Sequence, residues 1–132
     1  MPVAPLFPDR AFECAVTVVA LLYRESSDDA WERVKRTGAE PRRVGLRALR
    51  GLLKPFGIKQ YYRPIEPPRL TDWLQDKRTT SWVVCCQRPW DEFTHCMLIH
   101  KAGIWDNHSW YRGNYNDTGR AVVRRAWQIG EG

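Results

Sequence analysis

Cys14-Ala15-Val16-Thr17-Val18-Val19-Ala20-Leu21-Leu22-Tyr23 is apolar almost throughout, and its reading decides the fold. By periodicity alone it is either a buried strand or a buried helix. Its length and the Arg24-Glu25-Ser26 ending favour a helix, while Val16, Thr17, Val18 and Val19 oppose one. Taken as a helix, it opens a helical first half. Ser27, followed by Asp28, Asp29 and Ala30, predicts an N-cap with acidic residues in the first turn. Trp31 and Val34 then share a face, and Gly38 ends the helix. Val44 to Phe56 places Leu46, Leu49, Leu52 and Leu53 on one stripe, with Val44 or Gly45 near its start and Pro55-Phe56-Gly57 at its end.

Ile58 to Arg63 reads as a short strand, Pro64 to Pro68 as a loop, and Leu70 to about Gln75 as a short helix capped by Thr71 and carrying Trp73 and Leu74. The second half changes character. Ser81–Gln87, Thr94–Lys101, Gly103–Asp106 and Ala121–Ile129 are rich in β-branched and aromatic residues and read as strands. Ala102-Gly103 predicts a tight hairpin turn, and Asn107 to Gly119 a polar loop. Helices first and an antiparallel sheet after them give an α+β layer arrangement.

The 132 residues suit one domain, 1–132, with one core. No apolar run is long enough to span a bilayer, and the Met-Pro-Val-Ala-Pro-Leu-Phe-Pro start lacks the pattern of a signal peptide. The expectation is a soluble protein kept in a reducing compartment. The net charge of +6 rests mostly on arginine. It is spread over Arg33 to Arg63 and Arg112 to Arg125 with no nucleic-acid-binding motif beside it. A solvated basic surface is the simple explanation; an acidic partner or nucleic acid is the functional one. Most of the seven tryptophans are expected in the core or in groove walls.

The chemistry-bearing residues are split along the chain. Cys14 stands at a predicted helix start, where backbone N–H groups and the dipole favour a thiolate and lower its pKa. In the strand after Thr94, alternation puts His95, Met97 and Ile99 on one face and Cys96, Leu98 and His100 on the other. His95 and Asp106-Asn107 sit nearly symmetrically about Ala102-Gly103, so a hairpin brings them roughly opposite. Either Asp106 or Asn107 would then hold the imidazole in one tautomer. Against these stand plain structural roles: a buried cysteine, a hydrogen-bonded core histidine, a turn at Asp106-Asn107. Cys85, Cys86, Cys96, His100 and His108 add possible metal ligands, but the spacing matches no common zinc pattern, and no metal or cofactor is expected.

Cys14-Ala15-Val16 at a helix start, a short helix ending in glycine, Gly45-Leu46-Arg47 opening a third, then His95 and Trp105-Asp106-Asn107 together resemble the small papain-like, C39-peptidase-like thiol hydrolase domains of bacteria and phages. The resemblance runs from about Phe12 to Asn107. It implies a papain-like fold with N-terminal helices packed on a C-terminal antiparallel sheet. It also implies Cys14 as nucleophile, His95 as general base and acid, and Asp106 or Asn107 as the group orienting His95. Such hydrolases usually carry Gln or Asn shortly before the cysteine as an oxyanion donor. Here Pro8-Asp9-Arg10-Ala11-Phe12-Glu13 has neither, which leaves the Cys14 backbone N–H and Arg10 for that task, with Glu13 acting to raise the thiol pKa. Trp105 and Trp110, with Tyr111 and Tyr115, are candidate walls of a substrate groove. The expected function is cleavage of a peptide, isopeptide or related amide bond in a protein or peptide substrate. The setting expected is the cytoplasm of a bacterium, or of the host cell if phage-encoded. The alternative is a catalytically inactive relative that binds a protein or nucleic acid through its basic, tryptophan-rich surface.

Overall fold

The computed structural model describes residues 14–74, 80–87, 95–100, 103–105 and 121–130. Cys14–Tyr23 forms helix α1, which settles the ambiguous stretch. Its burial explains both the missing amphipathic period and the tolerated valines. Ala15, Val18 and Leu21 pack towards the sheet, while Val16 and Val19 pack against Ala30, Val34 and Leu52. A β-branched residue costs a helix about 0.5 kcal/mol. Complete burial of a valine or leucine returns about 1.5–3 kcal/mol, so packing wins over propensity. The helix stops where Arg24 turns to φ 54.

Helix α2 spans Ser27–Arg36. Its N-cap is Ser26 and not the expected Ser27: the Ser26 hydroxyl oxygen accepts from the Asp29 backbone N–H at 3.1 Å. Ser27, one residue on, is buried in the first turn. Gly38 follows the helix at φ 87, a conformation that glycine adopts without strain. Helix α3, Leu46–Leu53, begins after Gly45 and buries Leu49, Leu52 and Leu53. Leu46 departs from the expected stripe and stays exposed on the first turn. A 3₁₀ turn, Lys54–Phe56, completes the segment. The Tyr23 hydroxyl donates to the Leu52 carbonyl at 2.7 Å, tying the end of α1 to α3. The short helix α4, Leu70–Trp73, ends earlier than expected, and its N-cap is Arg69 rather than Thr71.

The strands are β1 (Ile58–Tyr62), β2 (Ser81–Gln87), β3 (His95–His100), β4 (Gly103–Trp105) and β5 (Val122–Ile129). They form one antiparallel sheet in the order β1-β5-β2-β3-β4. β3 and β4 pair as the expected hairpin, but Gly103 lies opposite His100 inside the ladder and not in the turn. Period-2 alternation splits the sheet's side chains. Val83, Cys85, Cys96, Leu98, Trp127 and Ile129 meet α1 and α3. Trp82, Val84, Cys86, Met97, Ile99, Val123 and Ala126 meet α4 on the opposite face. Trp73, Trp82 and Trp127 are core residues, as expected of most tryptophans here. No helix among the described residues is long and apolar enough to cross a membrane.

Candidate functional site

Cys14 is the first residue of α1, and α1 lies against β3. That contact brings the two chemically reactive ends of the pattern together. The Cys14 side chain lies near enough to both His95 and Cys96 for each to shift its pKa. His95, the first residue of β3, is buried to 6% exposure. Alternation along β3 puts Cys96 and Leu98 with the helices and Met97 and Ile99 on the far face, as the spacing suggests. His95 nevertheless meets the same thiol as Cys96.

Cys96 is itself linked to Cys85. The two residues are directly opposite in the β2–β3 ladder, and their Sγ atoms are 3.4 Å apart in a thiol–thiol hydrogen bond. A chain of three thiols, Cys14 to Cys96 to Cys85, therefore runs from the helix start into the sheet. All three are free cysteines. Among the described residues no group of three or more His, Cys, Asp or Glu side chains is arranged to hold a metal ion.

The electrostatics correct one expectation. A cysteine at a helix start is expected to ionise easily, yet the Cys14 thiol is held well above its ordinary pKa. The hydrogen bond with Cys96 is the largest cause, followed by burial and by the Cys96 charge. The hydrogen bond with His95 and the His95 charge pull in the opposite direction and are outweighed. On Cys96 the hydrogen bond with Cys14 acts most strongly and downward. The bond with Cys85 and burial still leave its pKa well above the ordinary value. Burial alone pushes Cys86 far up. At neutral pH Cys14 and Cys96 are thus protonated thiols, with the His95 imidazole beside Cys14.

The other candidate residues divide by position. Trp105 ends β4 opposite Leu98. Arg10, Glu13, Asp106, Asn107, His108, Trp110, Tyr111 and Tyr115 lie outside the described residues. Two features escaped the sequence reading. Cys96 is a direct partner of Cys14, although face alternation seemed to set it apart from His95. Arg63 and the distant pair Arg124-Arg125 line one cavity. No family model, curated protein or solved structure matches the chain.

Proposed function

We propose that the chain is a papain-like thiol hydrolase acting on a peptide, isopeptide or related amide bond. What supports this reading is the placement of the helix-start thiol of Cys14 beside the buried imidazole of His95, which acts to lower the thiol's pKa. A nucleophile within hydrogen-bond reach of a base is the minimum requirement of covalent amide hydrolysis. His95 takes the Cys14 proton as the sulfur attacks the substrate carbonyl, and gives it to the departing amine. Water then attacks the thioester, the acid product leaves, and Cys14 regains its proton. The N-terminal N–H groups of α1 have no partner within the helix and are available as oxyanion donors in this reading. The family resemblance gives the role of orienting His95 to Asp106 or Asn107, which lie outside the described residues. A reducing cytoplasm suits four unpaired cysteines.

One observation favours the second reading, a papain-fold interaction protein without catalysis. Cys96 holds the Cys14 thiol in its protonated form more strongly than His95 draws it towards ionisation. Hydrolysis then requires that substrate entry break the Cys14–Cys96 hydrogen bond. The deciding experiment incubates a proteome-derived peptide library with the intact protein, Cys14→Ala and His95→Ala, and sequences the new N-termini. Cleavages made by the wild type and lost in both variants are expected. Cleavage that survives Cys14→Ala, or none by the wild type, contradicts the hydrolase.

A further inference from the structure

The chain leaves and rejoins the edge of β5 in an unusual way. Tyr62 of β1 pairs with Ala126, and Arg69 pairs with Val122. Between them the six residues 63–68 stand opposite the three residues 123–125, so the segment must arch away from the sheet. Pro64, Pro67 and Pro68 lack an N–H, so the arch cannot close back into a ladder. Its far end is anchored, since the Val123 N–H donates to the Pro68 carbonyl and the Leu70 N–H to the Ala121 carbonyl, both at 2.8 Å. Beneath the arch β5 is itself irregular. Cys85 pairs with Arg125 and Cys86 with Val123, which leaves Arg124 as the extra residue of a bulge. A bulge re-aims the side chains on either side of it.

Arch and bulge together border an open surface cavity of about 520 Å³ lined by Arg63, Pro64, Ile65, Pro67, Arg124 and Arg125. The charged lining is all of one sign. Arg124 Nε donates to Gln87 Oε1 at 2.8 Å, a neutral partner, and no carboxylate pairs with any of the three arginines among the described residues. Glu66 belongs to the arch but does not line the cavity. Three guanidiniums converging without a counter-charge repel one another, and an anion with planar oxygens relieves that repulsion through paired N–H donors. Ile65 is 100% exposed at the rim, so an apolar contact stands beside the charges.

Position relates this cavity to the thiol site. Arg125 is directly opposite Cys85, and Cys85 directly opposite Cys96, whose thiol meets Cys14. At about 4.8 Å per strand, Arg125 stands roughly 10 Å across the sheet from Cys96. That row is packed beneath α1 and α3, so a peptide from Arg125 to Cys14 passes around the cover and needs more than the roughly three extended residues of the direct span.

We infer that the arginine cavity binds an acidic peptide segment, the carboxylate-rich stretch of the substrate lying several residues from the bond attacked by Cys14. The substrate role rests on the hydrolase reading; the binding site stands on the cavity itself. Mixed lining favours a peptide over nucleic acid, because Ile65 and the prolines offer contacts to aliphatic side-chain stems and only the arginines offer contacts to charge.

The test measures binding to the intact protein by fluorescence anisotropy with three labelled probes: an octamer of glutamate, an octamer of glutamine and an eight-nucleotide thymidine strand. Only the glutamate octamer is expected to bind well. Arg63→Ala and Arg125→Ala should each weaken it about tenfold, as the loss of one charge-assisted pair implies. Arg63 lies on the exposed arch, so its variant folds regardless, and thermal melting checks Arg125→Ala. Cys14→Ala should bind the glutamate octamer unchanged, which separates failure of the cavity from failure of the hydrolase. Equal binding of the two peptides, tighter binding of the thymidine strand, or unchanged affinity in Arg63→Ala overturns the inference.

Discussion

Two places on one cross-strand row of the sheet are built on opposite principles. At the β2–β3 end, Cys85 and Cys96 pack with Cys14 beneath the start of α1, in an apolar setting that keeps the Cys14 and Cys96 thiols protonated. At the β5–β1 end, Arg125 shares a cavity with Arg63 and Arg124, open enough to keep three charges unpaired. The first end is made by burial and the second by its interruption. The difference teaches where this fold keeps reactivity and where it keeps charge. A neutral nucleophile needs little solvation and can lie inside the core. Guanidiniums cannot, so prolines and a bulge hold the sheet edge open for them.

If that contrast is right, perturbing the closed end affects stability most. Leu98 is 1% exposed and shares the packed face with Cys85 and Cys96. Leu98→Ala should lower unfolding free energy by about 2–5 kcal/mol in urea titration. A loss below about 0.5 kcal/mol, the level of an ordinary surface change, breaks the comparison.

Next in size is the response to alkali. Cys14, Cys86 and Cys96 all have thiol pKa values raised in the folded chain above the ordinary 9.0. The folded state then holds these protons more tightly than the unfolded state does. Their stabilisation is complete below about pH 9 and is lost as pH rises towards the folded-state values, at about 1.4 kcal/mol per pH unit for each thiol. Urea titrations on either side of that pH should show the fall. Cys86→Val should remove roughly one thiol's share of it. A stability flat through this range contradicts the burial of these thiols on the two faces of the sheet.

Much of the fold was legible because its signals are local. Runs of β-branched and aromatic residues marked β2 within its observed limits and β1, β3, β4 and β5 to within a residue at each end. The sheet order was not legible, since β5 inserts between β1 and β2 through pairings distant in sequence. Ser26 and Ser27 are equivalent as letters, and only the Asp29 N–H distinguishes the cap from the first turn. The nearness of Cys14 to His95 was legible only through the resemblance to papain-like hydrolases, in which a helix-start cysteine meets a later strand histidine. The sign of the Cys14 pKa shift was not, because desolvation and the Cys96 thiol come from other parts of the chain, while the helix dipole is local. The arginine cavity was invisible for the same reason: a bulge and an arch decide it, and neither has a spacing that a sequence displays.

The central claim is that Cys14 is a nucleophile drawn towards ionisation by His95 and restrained by Cys96. The most direct test follows alkylation of each cysteine by iodoacetamide near neutral pH, using mass spectrometry on the wild type, His95→Ala and Cys96→Ala. Cys14 should be labelled ahead of the buried Cys85, Cys86 and Cys96. His95→Ala should slow it and Cys96→Ala should speed it, about tenfold for each unit by which its pKa moves. If labelling at Cys14 is no faster than at the buried cysteines, or both substitutions move it in the same direction, the claim is wrong.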